Sequence, residues 1–240
     1  MLEVTFCAQV PKDLNCPESV EDSLLIACNR HAVVISDGAS ESYDSKTWAD
    51  LIVTGYLNDQ SIDQRWVKQL IEKYESNFDF ATLSWSKQAS YERGSFATLL
   101  GVTLDGERHL LTIDGVGDCL TVLIYNTGGI FTFPYKCSSD FSQRPLLLST
   151  RLNLNDQLFD PALKETISLI TSSEGVETVL LMSDALAAWC LKRIEDHSED
   201  WKRLLTFDGQ TDFLDFVIAE RHSKSLAVDD VTLMVVKVRD

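Results

Sequence analysis

Short runs of apolar residues, many of them rich in Val, Ile, Leu and Thr, recur along this 240-residue chain between turn-forming residues. Runs of this length and composition favour β-strands. The Asp105-Gly106 pair between two such runs is typical of a β-hairpin turn. The strands predicted in this way are residues 2–10, 23–28, 32–36, 97–104, 109–116, 120–125, 130–133, 178–182 and 231–238.

Apolar residues at helical spacing predict helices between these strands. Residues 45–93 contain no proline, and Trp66, Leu70, Ile71 and Tyr74 recur on one helical face. We therefore expect two or three helices in this region. Two more helices are predicted at residues 185–194 and 211–221.

The order of these elements predicts an α+β fold. The strands come in groups, unlike the regular alternation of strands and helices in a parallel α/β fold. Many hairpins and two separate helical blocks favour two antiparallel sheets with helices outside them. No repeat or Pro/Gly/Ser linker interrupts the chain, so we expect one domain over residues 1–240. The polar segment 134–160, with Pro134 and Pro145, is predicted to be a long excursion.

The chain is strongly acidic, with 37 Asp and Glu residues, 21 Lys and Arg residues and a formal net charge of −16. A general nucleic-acid binder needs basic patches that displace counterions, so no nucleic-acid partner is expected. The charge fits a protein that holds several cations, although solubility alone also explains it. No apolar run has membrane-spanning length and no signal peptide begins the sequence. We therefore expect a cytoplasmic monomer without a membrane partner.

Acidic residues stand at the ends of predicted strands in four distant places. They are Glu21-Asp22, Asp37-Gly38, Ser183-Asp184 and Asp229-Asp230. Each has a structural explanation by itself, because Asp is common in turns and at helix N-caps. A carboxylate beside a buried strand is nevertheless costly unless it is compensated, and divalent cations that prefer oxygen ligands commonly compensate it. The recurrence of acids at strand ends therefore favours a shared metal site.

A site with two cations does not need a side chain as nucleophile. Water held between two cations loses a proton readily and becomes nucleophilic at neutral pH. The sequence agrees with this, because it contains no convincing Ser-His-Asp or Cys-His arrangement. Its six cysteines and four histidines also lack the spacing of a metal-ligand set.

Six motifs follow one another between residues 20 and 238, almost the whole chain. They are Val20-Glu21-Asp22, Val33-Val34-Ile35-Ser36-Asp37-Gly38, Gly94-Ser95-Phe96-Ala97-Thr98, Val116-Gly117-Asp118, Leu181-Met182-Ser183-Asp184 and Asp229-Asp230-Val231-Thr232. In this order they resemble the motifs of the metal-dependent Ser/Thr protein phosphatases of the PP2C type (the PPM family). The resemblance implies an α-β-β-α four-layer sandwich with two central antiparallel β-sheets.

The resemblance also implies a centre of two Mn²⁺ or Mg²⁺ ions, with a looser third ion as in bacterial members. Asp37 would bridge two ions, and the Gly38 carbonyl would bind one of them. Asp184 and Asp229 would hold the other ion. Asp118, together with Asp184, would hold the third.

Other positions would support this centre from further away. By the same resemblance, Asp22 and Glu21 would act mostly through metal-bound waters, with Glu21 the more distant of the two. Gly94, Ser95 and Thr98 would pack closely beneath the site. Asp230 is expected to be structural.

Several positions depart from the family pattern, among them Cys119 and Leu120, which stand where the family usually has Ser and Arg. The Arg that grips phosphate, five residues before the Asp of the first motif, is Pro17 here. Lys12 is the candidate phosphate-binding residue in its place, although a point charge cannot match a bidentate guanidinium. The missing Arg predicts weaker phosphate capture without loss of metal. The His that follows Asp-Gly in many eukaryotic members is Ala39, which favours a bacterial-type enzyme.

The leading hypothesis is a protein phosphatase that hydrolyses phospho-Ser or phospho-Thr, placed on a protein by a cognate kinase, with a metal-activated water. The alternative is a catalytically weak or inactive PP2C-like module that binds or regulates a partner, which Pro17 favours and the retained acids oppose. A third hypothesis, a two-metal nuclease, is disfavoured by the negative charge. Substrate specificity is expected to reside in residues 134–160, the position of the family's variable flap.

Overall fold

The computed structural model of this chain describes residues 1–27, 29, 31–60, 62–159, 163–168 and 175–239. The strands of this part of the chain are β1 (Leu2–Val10), β2 (Ser23–Ile26), β3 (Ala32–Ser36), β4 (Phe96–Ala97), β5 (Leu99–Asp105), β6 (Leu110–Val116), β7 (Leu120–Tyr125), β8 (Ile130–Phe133), β9 (Leu148–Ser149), β10 (Lys164–Ser168), β11 (Val176–Met182) and β12 (Val231–Val238). The α-helices are α1 (Ser45–Asn58), α2 (Gln64–Glu75), α3 (Trp85–Arg93), α4 (Asp184–Glu195) and α5 (Gln210–His222).

The long strands form two antiparallel sheets of five strands each. The first sheet has the order β1-β12-β11-β7-β8, and the second has the order β10-β6-β5-β3-β2. Register in the first sheet pairs Met182 with Leu233, and in the second it pairs Ser23 with Ser36. The ends of β11 and β12, and those of β2 and β3, are therefore neighbours.

The alternation of side chains along the strands creates four layers. In β11, Val179 and Leu181 pack into the core between the two sheets, whereas Leu180 and Met182 pack into the core beneath α4 and α5. On the second sheet, Val34 faces α1 and α2, and its neighbours in β3 face the first sheet. The order helix, sheet, sheet, helix confirms the predicted α-β-β-α sandwich.

The helices begin where the sequence provides caps. The Asp44 carboxylate accepts the Thr47 N–H at 3.1 Å at the start of α1, and Asp63 accepts the Trp66 N–H at 2.8 Å at the start of α2. Such caps compensate helix N–H groups that have no partner within the helix. Three helices lie between residues 45 and 93, as predicted.

Some strands differ from their predicted bounds. The predicted strand at residues 97–104 is divided at Thr98, because Phe96–Ala97 pairs with Leu148–Ser149 while the rest pairs with β3 and β6. Strand β2 ends at Ile26, and Cys28 lies outside the described residues. Strand β10 was not predicted. It is an edge strand with a partly polar sequence, and pairing with β6 alone forms it.

The predicted excursion has little regular structure over its described part, residues 134–159. It contains β9 and two short 3₁₀ helices, at Ser138–Ser142 and Leu152–Leu154. Within the described segments, no helix combines the length and apolar character that crossing a bilayer requires. The described cysteines, which exclude Cys28, are free thiols.

Candidate metal centre

Strand ends of the second sheet place two of the predicted acids. Asp37 directly follows β3, and Asp22 directly precedes the neighbouring β2. Because Ser23 pairs with Ser36, the two carboxyl-bearing residues lie at the same end of adjacent strands. Asp22 is buried, whereas Asp37 is half-buried at the wall of a cavity.

The first sheet contributes two more acids from the facing side. Asp184 follows β11 as the first residue of α4, and Asp229 precedes β12. The Ser183 N–H donates to the Thr232 carbonyl at 3.2 Å, and the Thr232 N–H donates to Ser183 Oγ at 2.8 Å. These two bonds extend the pairing of β11 and β12 and hold both acids at one end of the sheet.

Asp118 reaches the same place from the turn between β6 and β7, which joins the two sheets. The turn requires a positive φ of 99° at Gly117, a conformation that favours glycine. All five residues predicted to contact metal directly line one cavity of about 150 Å³. They are Asp37, Gly38, Asp118, Asp184 and Asp229.

Thr98 holds Asp37 in place through both backbone and side chain. Its Oγ1 accepts the Asp37 N–H at 2.7 Å, and its own N–H donates to the Asp37 carbonyl at 2.8 Å. The Ser36 hydroxyl donates to the Thr98 carbonyl at 2.6 Å. The break between β4 and β5 therefore serves the site, because Thr98 bonds to the Asp37 segment there.

Gly38 lies where a side chain has no room. A Cβ at this position would stand 2.8 Å from the Glu21 carbonyl oxygen and 2.9 Å from the Ser45 Cβ. Both distances are shorter than real Cβ contacts. Glycine thus allows the Asp37-Gly38 turn to approach the Glu21-Asp22 turn.

The carboxylates raise one another's pKa. Burial, followed by the charges of Asp230 and Asp229, raises the pKa of Asp22 to about 7. Burial and the charges of Asp118 and Asp229 likewise raise the pKa of Asp184 to about 7. Negative charge is therefore crowded around Asp22 and Asp184.

The same causes act on two further acids of the cluster, Asp37 and Asp118. Burial and the charges of Asp22 and Asp184 raise the pKa of Asp37 well above its usual range. Burial and the charge of Asp229 raise the pKa of Asp118. Burial and neighbouring negative charge thus raise the pKa of Asp37 and Asp118 as they do for Asp22 and Asp184.

Asp22 has a buried oxygen that no protein group satisfies. Its Oδ2 accepts the Thr232 hydroxyl at 2.5 Å, whereas Oδ1 is buried without a hydrogen-bond partner. A buried acceptor of this kind is costly unless a water or an ion meets it. The orphan oxygen, the raised pKa values and the all-oxygen donor set fit a hard divalent cation. As placed, no three described Asp, Glu, His or Cys side chains form a closed ligand set.

Glu21 is held at the edge of the cluster. Lys12 Nζ donates to Glu21 Oε2 at 2.9 Å and to Ser40 Oγ at 2.5 Å, and the Ser45 hydroxyl donates to Glu21 Oε1. Burial opposes ionisation of Glu21, but hydrogen bonds from Ser40, Ser45 and Lys12 outweigh it and lower its pKa. Glu21 is thus anionic, and both of its carboxylate oxygens accept hydrogen bonds from protein side chains. Lys12 stands beside Ser40, which lines the cavity.

Pro17 and Ala39, two of the positions that depart from the family pattern, lie in different surroundings. Pro17 lines a separate cavity of about 540 Å³ with Leu14, Lys46 and Leu214, and none of the clustered acids borders it. Ala39 lines the cavity of the carboxylates. Cys119, at another departure, is a buried thiol 3.1 Å from Thr98 Oγ1, and burial raises its pKa well above the usual range.

Sequence reasoning missed several residues that shape the site. Ser40, Pro145 and Leu147 line the cavity, and Thr232 bonds to Asp22. Thr232 belongs to the last motif, so its position was a usable signal. Pro145 and Leu147 come from the irregular segment, where no periodic pattern indicates which residues turn inward.

Several solved structures resemble this chain over nearly its whole length. The Ser/Thr phosphatase Stp1 of Staphylococcus aureus is 15% identical with a TM-score of 0.59, covering 99% of this chain and 96% of that chain. The Ser/Thr phosphatase PstP of Mycobacterium tuberculosis is 14% identical with a TM-score of 0.60, covering 100% and 99%. A catalytic domain of PstP solved with two manganese ions gives the same values.

No family model and no curated protein sequence matches this chain. The structural likeness nevertheless extends over nearly the full length of each chain, at identities so low that it concerns the fold. The two facing antiparallel sheets and outer helices agree with it. The chain therefore has the fold of the bacterial PP2C-type Ser/Thr phosphatases.

Proposed function

We propose that this protein is a metal-dependent Ser/Thr protein phosphatase. One observation carries the proposal: five predicted ligands from four separate chain segments line a single cavity in which burial and neighbouring carboxylates raise the pKa of Asp37 and Asp184. Structural ion pairs would not leave these carboxylates without cationic partners. The substrate would be a cytoplasmic protein phosphorylated on Ser or Thr by a cognate kinase.

The residues that would hold two cations are Asp37, the Gly38 carbonyl, Asp184 and Asp229, with Asp118 available for a third ion. Bound Mn²⁺ or Mg²⁺ would supply Lewis-acid activation of the phosphoryl group and of a coordinated water. The chain's own part is to hold the carboxylates at fixed strand ends. Asp22, through its free Oδ1, would accept a hydrogen bond from a nearby water and orient it.

Lys12 is proposed as the basic group nearest to the bound phosphate. It is 34% exposed and already oriented by Glu21 and Ser40 at the cavity edge. Because Glu21 neutralises much of its charge, we expect its contribution to be modest. Lys12→Met should raise KM for p-nitrophenyl phosphate about twofold to fivefold, whereas Lys12→Arg should retain binding.

The decisive experiment is hydrolysis of a phosphothreonine peptide with Mn²⁺, comparing the wild-type protein with Asp37→Asn. Phosphate release should require Mn²⁺ and fall at least about a hundredfold in the variant, since a shared ligand of both ions is weakened. Wild-type activity no higher than that of Asp37→Asn at every metal concentration would overturn the proposal.

A second candidate is an inactive module that binds a partner. Pro17, which lines a cavity away from the clustered acids, favours it because no guanidinium enters the site from that position. Calorimetry with Mn²⁺ distinguishes the two candidates. The phosphatase should bind about two ions, whereas the inactive module needs none of the clustered acids and should bind little metal.

A further inference from the structure

A second and larger cavity adjoins the carboxylate cluster. It has a volume of about 660 Å³ and shares Ala39, Ser40, Pro145, Leu147 and Asp229 with the cavity of the cluster. We call this second cavity the arginine groove. Its continuity with the cluster means that a molecule held at the carboxylates can extend directly into it.

Two arginines line the arginine groove from different parts of the chain. Arg93 ends α3, and Arg144 belongs to the irregular segment before β9. Both are exposed, and no carboxylate of the described residues forms an ion pair with either. The Arg93 guanidinium donates to Ser90 Oγ at 2.8 Å. Two guanidinium groups without a carboxylate partner among the described residues thus face one groove of a protein whose net charge is −16.

The remaining lining suits a polypeptide. Leu146 and Leu154 are 47% and 51% exposed, so apolar surface is available beside the arginines. Of the described residues that line the groove, Glu41 is the acid that does not belong to the carboxylate cluster. A volume of about 660 Å³ also exceeds what a phosphate group occupies. The groove therefore accommodates several residues of an extended chain.

We propose that the arginine groove binds the substrate residues next to the phosphorylated side chain, and that Arg93 and Arg144 select acidic residues there. This rests on the proposed phosphatase function and adds a substrate class to it. The arginines complement an acidic peptide only within the groove, because the net negative charge of the protein repels such a peptide elsewhere. Guanidinium groups suit this task because their planar fork matches a carboxylate.

The test compares two phosphothreonine peptides on the Mn²⁺-loaded protein, one flanked by Asp and Glu and one flanked by Lys. Both kcat/KM and Kd, the latter from fluorescence anisotropy, are measured, with p-nitrophenyl phosphate as a substrate without flanks. The wild type should prefer the acidic peptide about tenfold, as expected for two partly exposed ion pairs. Arg93→Glu/Arg144→Glu should reverse the preference, and Glu41→Gln should increase it.

Arg65→Glu is the matched control, because Arg65 lies exposed on α2 and lines neither cavity. It should retain the wild-type preference. An unchanged preference in the double variant would overturn the proposal. So would an equal loss for both peptides and p-nitrophenyl phosphate, which would place the arginines at the phosphoryl group. If the wild type hydrolyses nothing, the phosphatase function fails, and the Kd ratio still decides the role of the groove.

Discussion

The side chain of Asp230 accepts the backbone N–H of Glu21 through Oδ2 at 2.7 Å, joining residues 209 positions apart. Its Oδ1 accepts the Lys12 N–H, also at 2.7 Å. Asp230 precedes β12 of the first sheet, and Glu21 lies just before β2 of the second. One buried carboxylate therefore connects the two sheets beside the clustered acids.

Loss of this connection should destabilise the protein independently of metal. We expect Asp230→Ala to lower the free energy of unfolding by about 2–4 kcal/mol, because two N–H groups lose a charged acceptor. Urea denaturation of the metal-free protein measures this.

The neighbouring Asp229→Ala is the matched control. Among the described residues, the Asp229 side chain accepts the local N–H of Asp230, and its charge raises the pKa of Asp22 and Asp184. This variant should keep or gain stability without metal but lose Mn²⁺ binding. Equal destabilisation by the two variants would contradict the structural role of Asp230.

The metal-free protein should lose stability as the pH rises from about 5 to 8. The pKa of Asp22 and Asp184 is about 7 in the folded chain, against 3.8 ordinarily, so the folded state keeps protons that the unfolded state has released. The free energy of unfolding should fall through this window by a few kcal/mol, on the order expected for such shifts.

The lowered pKa of Glu21 makes the free energy of unfolding rise with pH, but only below the ordinary pKa of 4.5, and therefore outside the range from pH 5 to 8. Urea denaturation at pH 5, 6, 7 and 8 in the presence of a chelator provides the measurement. A free energy of unfolding that rises towards pH 8 would show that the carboxylates are compensated by something other than metal.

Removal of the Asp37 charge should have opposite effects with and without metal. Without metal, Asp37→Asn relieves repulsion with Asp22 and Asp184, so the Tm at pH 8 should increase. With Mn²⁺, the wild-type Tm should rise by mass action, whereas the variant should gain little. Differential scanning fluorimetry with and without millimolar Mn²⁺ tests both signs. A wild-type Tm that does not respond to Mn²⁺ would refute the metal centre.

A methyl group at Gly117 should disturb the site more than one at Gly128, although both have positive φ, at 99° and 83°. A Cβ at Gly117 would lie 2.6 Å from Thr98 Cγ2, whereas Gly128 has no neighbour within 4 Å. Both alanine variants should lose about 1 kcal/mol to backbone strain. Gly117→Ala should lose about 1–3 kcal/mol more and bind Mn²⁺ more weakly, because displaced Thr98 no longer holds Asp37. Isothermal titration with Mn²⁺ distinguishes the two variants, and equal affinities would contradict this coupling.

Much of the fold and most of the site were predictable from local patterns. Continuous apolar runs in β11 and β12 indicated strands, and the acids at their ends indicated where ligands would lie. The spacing of residues 66–74 indicated a helix with one buried face, which α2 has. Strand β10 was not predictable, because an edge strand needs a neighbour's backbone more than an apolar sequence of its own.

The sequence by itself determined which apolar runs form most of the strands and which acids stand beside them, since these patterns depend on neighbours along the chain. Only the tertiary structure decided that Asp230 bonds to Glu21, that Lys12 is paired with Glu21, and that Pro17 lines a cavity away from the clustered acids. It also placed Arg93 and Arg144 in one groove. The physical reason is that such contacts join residues distant in sequence, and the packing of two sheets, not local periodicity, sets the distance between them.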